Sequence, residues 1–158
     1  MNRSRAAVRA LVVAAALAAG LGIMSPAHAA TTRDGCTVDP QTPYHNGTFT
    51  AGGDKWINYD VEITCSAGRS VQLVMDRMEA DSGLNGADDF IGMSDTIKTF
   101  NSSTTITWTI TGVLPDNDGG LDQYSEMYQQ VGFQVTLNSG YVGAWTNWEK
   151  SAVRSIHV

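Results

Sequence analysis

The chain has 158 residues, 16 of them acidic and 10 basic, and only two cysteines. An excess of negative charge argues against nucleic acid and anionic membrane as partners, and two sulfurs with no neighbouring His rule out a zinc site on the cysteines. The length suits one domain with a core of its own.

Arg3, Arg5 and Arg9 precede an apolar run over residues 10–23, followed by Pro26 and the small-residue triplet Ala27-His28-Ala29. This is the order of a secretory signal peptide, expected over residues 1–29. The apolar run is too short to span a bilayer. The arginines are not adjacent, which points to general secretion, and the Ala- and Arg-rich leader points to a bacterial exporter. Without it, 7 basic residues face 16 acidic ones, a formal charge of -9. Export also puts Cys36 and Cys65 in an oxidising space, where a Cys36–Cys65 disulfide is expected.

A flexible lead-in is expected at 30–35, and residues 36–158 read as a single domain. The clearest strand is 56–65, where Ile57, Tyr59, Val61, Ile63 and Cys65 alternate with polar residues. Residues 104–114 repeat the pattern with Ile106, Trp108 and Ile110, and 131–137 with Val131, Phe133, Val135 and Leu137. Weaker strand signals cover 47–50, 70–78, 96–100, 141–148 and 152–158. Gly-, Asn-, Asp- and Pro-rich turns separate these segments, and the sequons at Asn46 and Asn101 read as ordinary turns. Residues 120–130 suggest a short helical turn. The sum is an all-β, antiparallel β-sandwich of about seven to eight strands with one disulfide.

From Thr105 onward come a Thr-rich strand, Gly112-Val113-Leu114-Pro115, a polar loop, Tyr128, the strand at 131–137 and the turn Asn138-Ser139-Gly140. That order resembles the second half of a fibronectin type III or immunoglobulin-like domain, which implies that architecture. The spacing of Cys36 and Cys65 departs from such a domain's usual disulfide.

Two constellations stand out as candidate sites. Asp76, Glu79, Asp81, Asp88 and Asp89 lie in an acid-rich stretch, and Asp88-Asp89-Phe90-Ile91-Gly92 is similar to part of the C2-domain pattern. The resemblance implies calcium, which takes six to eight oxygen ligands; the alternative is a solvated acidic loop. A second acidic loop, Asp116 to Asp122, lacks the EF-hand positions and reads as a turn.

The other candidate is aromatic. Trp145 and Trp148, with Tyr141, are candidates for a platform that stacks on sugars or protein. In a regular strand the two tryptophans have opposite parity, so one must point outward; the alternatives are a bulge that turns both inward or a second tryptophan that covers a sheet edge. His45 and His157 are isolated, no nucleophile or cofactor motif is present, and a carboxylate pair such as Glu79 with Asp88 has no cleft signal behind it. The expected function is therefore a secreted, non-enzymatic binding module. Its expected partner is an extracellular protein or a polysaccharide, with calcium as a stabilising ion. A monomer with no membrane insertion after leader removal is expected.

Overall fold

The computed structural model describes residues 30–80, 88–114 and 124–157; the expected signal peptide at 1–29, Asp81 and the loop containing Asp116 lie outside them. Among the described residues are ten strands in two antiparallel sheets, with one disulfide. The strands are β1 (Thr31–Arg33), β2 (Cys36–Pro40), β3 (Tyr44–Phe49), β4 (Lys55–Cys65) and β5 (Arg69–Glu79). They continue as β6 (Asp89–Phe100), β7 (Thr104–Val113), β8 (Tyr124–Leu137), β9 (Glu149–Lys150) and β10 (Arg154–His157).

In the first sheet β4 is the spine. Its C-terminal half pairs with β2 and its N-terminal half with β3 on one side, β7 pairs along its other side, and β1 extends β2. In the second sheet β8 plays that part. It pairs with β5 on one side and with β9 and β10 on the other, and β6 forms the far edge against β5.

Alternation explains the core. Ile57, Tyr59, Val61 and Ile63 on β4 face Val71, Leu73 and Met75 on β5 and Met127, Val131, Phe133 and Val135 on β8, all of them buried. Burying each such side chain stabilises the fold by about 1.5–3 kcal/mol. Cys36 and Cys65 stand directly opposite each other on β2 and β4, on the buried face, and are bonded. The disulfide thus links neighbouring strands of one sheet, and the two sheets are tied by other means. The buried Gln129 amide donates to the carbonyls of Gln41 at 2.6 Å and Asp60 at 2.7 Å, joining β8 to the first sheet.

Arg77 closes the side where β6 and β7 form the sheet edges. Its guanidinium lies 5.9 Å from the Tyr59 ring. A Cβ at Gly92 or Gly112 would stand 2.7 or 3.0 Å from that guanidinium, so both edge strands carry glycine where the arginine passes.

Besides adding β2 and beginning β6 at Asp89, seven residues before the expected 96–100, the structure departs from the sequence reading in three places. Residues 31–33, within the expected lead-in, form the edge strand β1, antiparallel to β2 with Thr31 opposite Val38 and Arg33 opposite Cys36. Tyr124 to Gln130, expected to hold a helical turn, is the first half of β8. Its alternation is weak because Tyr128 and Gln129 are buried on opposite faces of the strand. Finally, 141–148 is an irregular edge segment with a single isolated bridge at Val142.

Candidate functional site

The second sheet's outer face is built from alternate positions of three strands. Pairing sets Ile97, Gln72 and Gln134 in one row across β6, β5 and β8; the next row is Asp95, Val74 and Gly132, and the third is Met93, Asp76 and Gln130. Successive rows are about 7 Å apart, two residues along a strand.

After β8 the chain turns at 138–140 and runs back beside it. The returning segment bonds to β8 at intervals: Leu137 N to Tyr141 O at 2.9 Å, Gly143 N to Val135 O at 2.8 Å and Thr146 N to Phe133 O at 2.8 Å. The Thr146 hydroxyl also accepts from Phe133 N at 3.0 Å. Val142 stands opposite Thr136 and Glu149 opposite Val131, so the returning chain takes seven steps where β8 takes five. Two extra residues are the equivalent of two β-bulges.

Those two residues decide where the tryptophans point. In a regular strand, positions three apart face opposite ways. Here one extra residue falls between Gly143 and Thr146 and another between Thr146 and Glu149. Trp145 and Trp148 are both brought to the outer face as a result. They are 44% and 50% exposed, and together with Val74, Gly132 and Thr146 they line a cleft of about 230 Å³. The Trp148 ring lies over Gly132, where an added Cβ would sit 3.7 Å away.

The segment is braced from the first sheet as well. Arg33 donates to the Trp145 carbonyl at 3.0 Å, and the Asp34 carboxylate rests against Gly143, where a Cβ would be only 2.5 Å from it. Any larger residue at Gly143 would displace one of the two.

Polar groups flank the cleft along the strands. Gln134 donates to Gln72 at 2.9 Å on one side, and Gln130 donates to Asp76 at 3.3 Å on the other. Beyond Asp76, the Tyr128 hydroxyl donates to Asp88, while Lys150 lies 3.4 Å from the Tyr128 ring centre and 3.6 Å from Asp88. Burial, reinforced by the hydrogen bond to Asp88 and its charge, holds the Tyr128 phenol well above the ordinary tyrosine range. Burial does the same to Tyr59 inside the sandwich, with Arg77 pulling the other way and Glu79 adding to the rise.

The acidic candidates do not gather. Asp76 and Glu79 are three residues apart on β5, so Asp76 faces outward and Glu79 is buried on the inner face at 2% exposure. Asp89 opens β6 opposite Glu79, Asp88 is engaged by Tyr128 and Lys150, and Asp81 is outside the described residues. No three His, Cys, Asp or Glu side chains converge on a metal-sized site among the described residues. Of the aromatic candidates, Tyr141 sits at the turn and takes no part in lining the cleft.

Sequence reasoning missed the floor of the cleft. Val74 is an outward residue in an apolar run, and Gly132 interrupts the strongest alternation of β8. A lone glycine at an outward strand position signals close approach by another group, and that signal was there to be read. Compared with known protein families and with curated proteins, the chain matches none.

Proposed function

We propose that this protein is an exported, non-catalytic binding domain whose ligand is a polysaccharide, held by a sugar ring in the cleft between Trp145 and Trp148. The observation that carries the reading is the side-by-side placement of two half-exposed tryptophans over a floor of Val74 and Gly132. A volume of about 230 Å³ lies below the usual range for drug-sized ligands and suits a single ring. The C–H face of a sugar packs on an indole, and the amides of Gln72, Gln134 and Gln130 lie in the rows flanking the cleft floor, where they are available to sugar hydroxyls that extend beyond it.

The strand order supports an immunoglobulin-like frame for this site. Taking β2, β4, β5, β6, β7, β8 and β10 as seven successive strands, the first, second and fifth share one sheet and the third, sixth and seventh the other. That is the partition of such domains, with the fourth strand here on the second sheet.

The test is retention on insoluble polysaccharides, with titration calorimetry on soluble oligomers, for the leaderless protein and its Trp145→Ala and Trp148→Ala variants. A central aromatic contact contributes about 2 kcal/mol, about thirtyfold in affinity, so each variant should lose binding on that scale. Circular dichroism should show both variants folded. Equal retention of all three proteins would sink the proposal.

A further inference from the structure

We infer that the sugar this cleft takes carries a free, protonated amine: an amino-sugar polymer, in preference to a neutral, acetylated or acidic one. The inference rests on the polysaccharide reading above and adds the charge of its ligand.

The argument begins from the register. Asp95 stands directly opposite Val74, the floor of the cleft, and Asp76 is two residues along β5 from Val74 on the same face. Two carboxylates therefore border the apolar floor on adjacent sides. As diagonal neighbours on paired strands they lie about 7–8 Å apart. The Asp95 carboxylate has no hydrogen bond or ion pair to another described residue, and the residue is exposed. Asp76 accepts one long bond from Gln130 through a single oxygen, leaving the other oxygen for a guest.

The cations nearby in the fold are committed elsewhere. Arg33 holds the Trp145 carbonyl and lies 3.9 Å from Asp34, and Lys150 covers the Tyr128 ring beside Asp88. Lys98 pairs with the core residue Val71 and so belongs to the inner-face row of β6. An acidic sugar placed in the cleft would meet these two carboxylates, while Lys150, opposite Gln130 in the Asp76 row, is drawn toward Tyr128 and Asp88; the net repulsion selects against it. A cationic sugar gains the ring contact from the tryptophans, a cation–π attraction at their faces and charge-assisted bonds to Asp76 and Asp95. The -9 balance of residues 30–158 draws the same ligand by long-range steering.

The experiment compares a β-linked glucosamine hexamer with its fully N-acetylated counterpart, in mildly acidic buffer that keeps the amines protonated. It uses the leaderless protein and its Trp148→Ala, Asp76→Asn and Asp95→Asn variants. The free-amine hexamer should bind about tenfold more tightly than the acetylated one, and each Asn variant should lose about threefold to fivefold for the free amine alone. Added salt should narrow the gap. Equal binding of both hexamers with loss in Trp148→Ala would overturn the amine inference and leave the polysaccharide reading standing. Equally tight binding of an oligolysine at the same site would overturn it too, since charge alone would then suffice. Binding of every probe unchanged in Trp148→Ala would overturn both.

Discussion

On the outer face of the first sheet, Asn58, Asp60, Glu62 and Thr64 of β4 stand opposite Thr111, Thr109, Thr107 and Thr105 of β7, whereas the second sheet's outer face centres on Val74, Gly132 and two tryptophans. The first face bonds to itself. Thr109 donates to Asp60 at 2.6 Å, Thr111 to Asn58 at 2.9 Å, and Thr64 and Thr105 share a bond of 2.7 Å. A row of threonines, Thr32, Thr37, Thr64 and Thr105, crosses four strands there. The second face leaves apolar surface and the Asp95 carboxylate without such partners. The first face turns its side-chain hydrogen bonds inward on itself, and the hollow of about 490 Å³ along its threonine row carries no aromatic side chain in its lining. The face roofed by an irregular segment is the one to which the proposal assigns binding.

The largest expected effect separates the scaffold from the site. The disulfide lies inside the first sheet and its cysteines are 29 residues apart in sequence, for which loss of the cross-link costs about 3–4 kcal/mol on the chain-entropy account. Reduction, or the Cys36→Ala/Cys65→Ala pair, should lower the melting temperature on the order of 10 °C. Below the new transition, affinity for polysaccharide should stay within about twofold. Loss of binding by protein that circular dichroism shows to be folded would mean that the cleft leans on β2 and β4 more than the geometry indicates.

A smaller effect probes the cleft floor, where stability and binding should move in opposite directions. Glycine inside a strand costs about 0.5–1 kcal/mol relative to alanine. At Gly132 the new methyl would meet the Trp148 ring at 3.7 Å, an ordinary contact. Gly132→Ala should therefore raise the melting temperature by a few degrees and, by filling the floor, weaken sugar binding severalfold. A variant that melts higher and binds as before would show that the ligand does not reach the floor.

How far the sequence reaches is set by what alternation can carry. The segments around Tyr59, Trp108 and Phe133 were legible because each buries one face and presents polar residues on the other. Cys36 to Pro40 gave too short a run, and Tyr124 to Gln130 hid its period because the outward Tyr128 is covered by Lys150. The tryptophans could be nominated from sequence. Their common orientation could not, since the two extra residues between Val142 and Glu149 exist only relative to the register of β8. The divergence of Asp76 and Glu79, by contrast, was already legible: three residues apart on one strand means opposite faces. The row joining Asp95 to Val74 needed the pairing of β5 with β6, which distant segments settle between them.

The smallest effect belongs to the self-bonded face. Thr109→Val removes the hydroxyl that donates to Asp60 and keeps a β-branched side chain of nearly the same shape. A bond to a charged group is worth more than a neutral one, but this site is solvent-exposed, so water replaces the lost donor. Asp60 also keeps the Tyr44 hydroxyl at 3.2 Å. The strand preference of valine offsets part of what remains. The expected loss is about 0.5 kcal/mol by denaturant melts, within the range of surface substitutions, with sugar affinity unchanged. A change in affinity from this position, on the far side of the core from Trp148, would break the division of labour between the two faces, because nothing in the packing of β4 and β7 gives Thr109 a route to the cleft other than the buried layer itself.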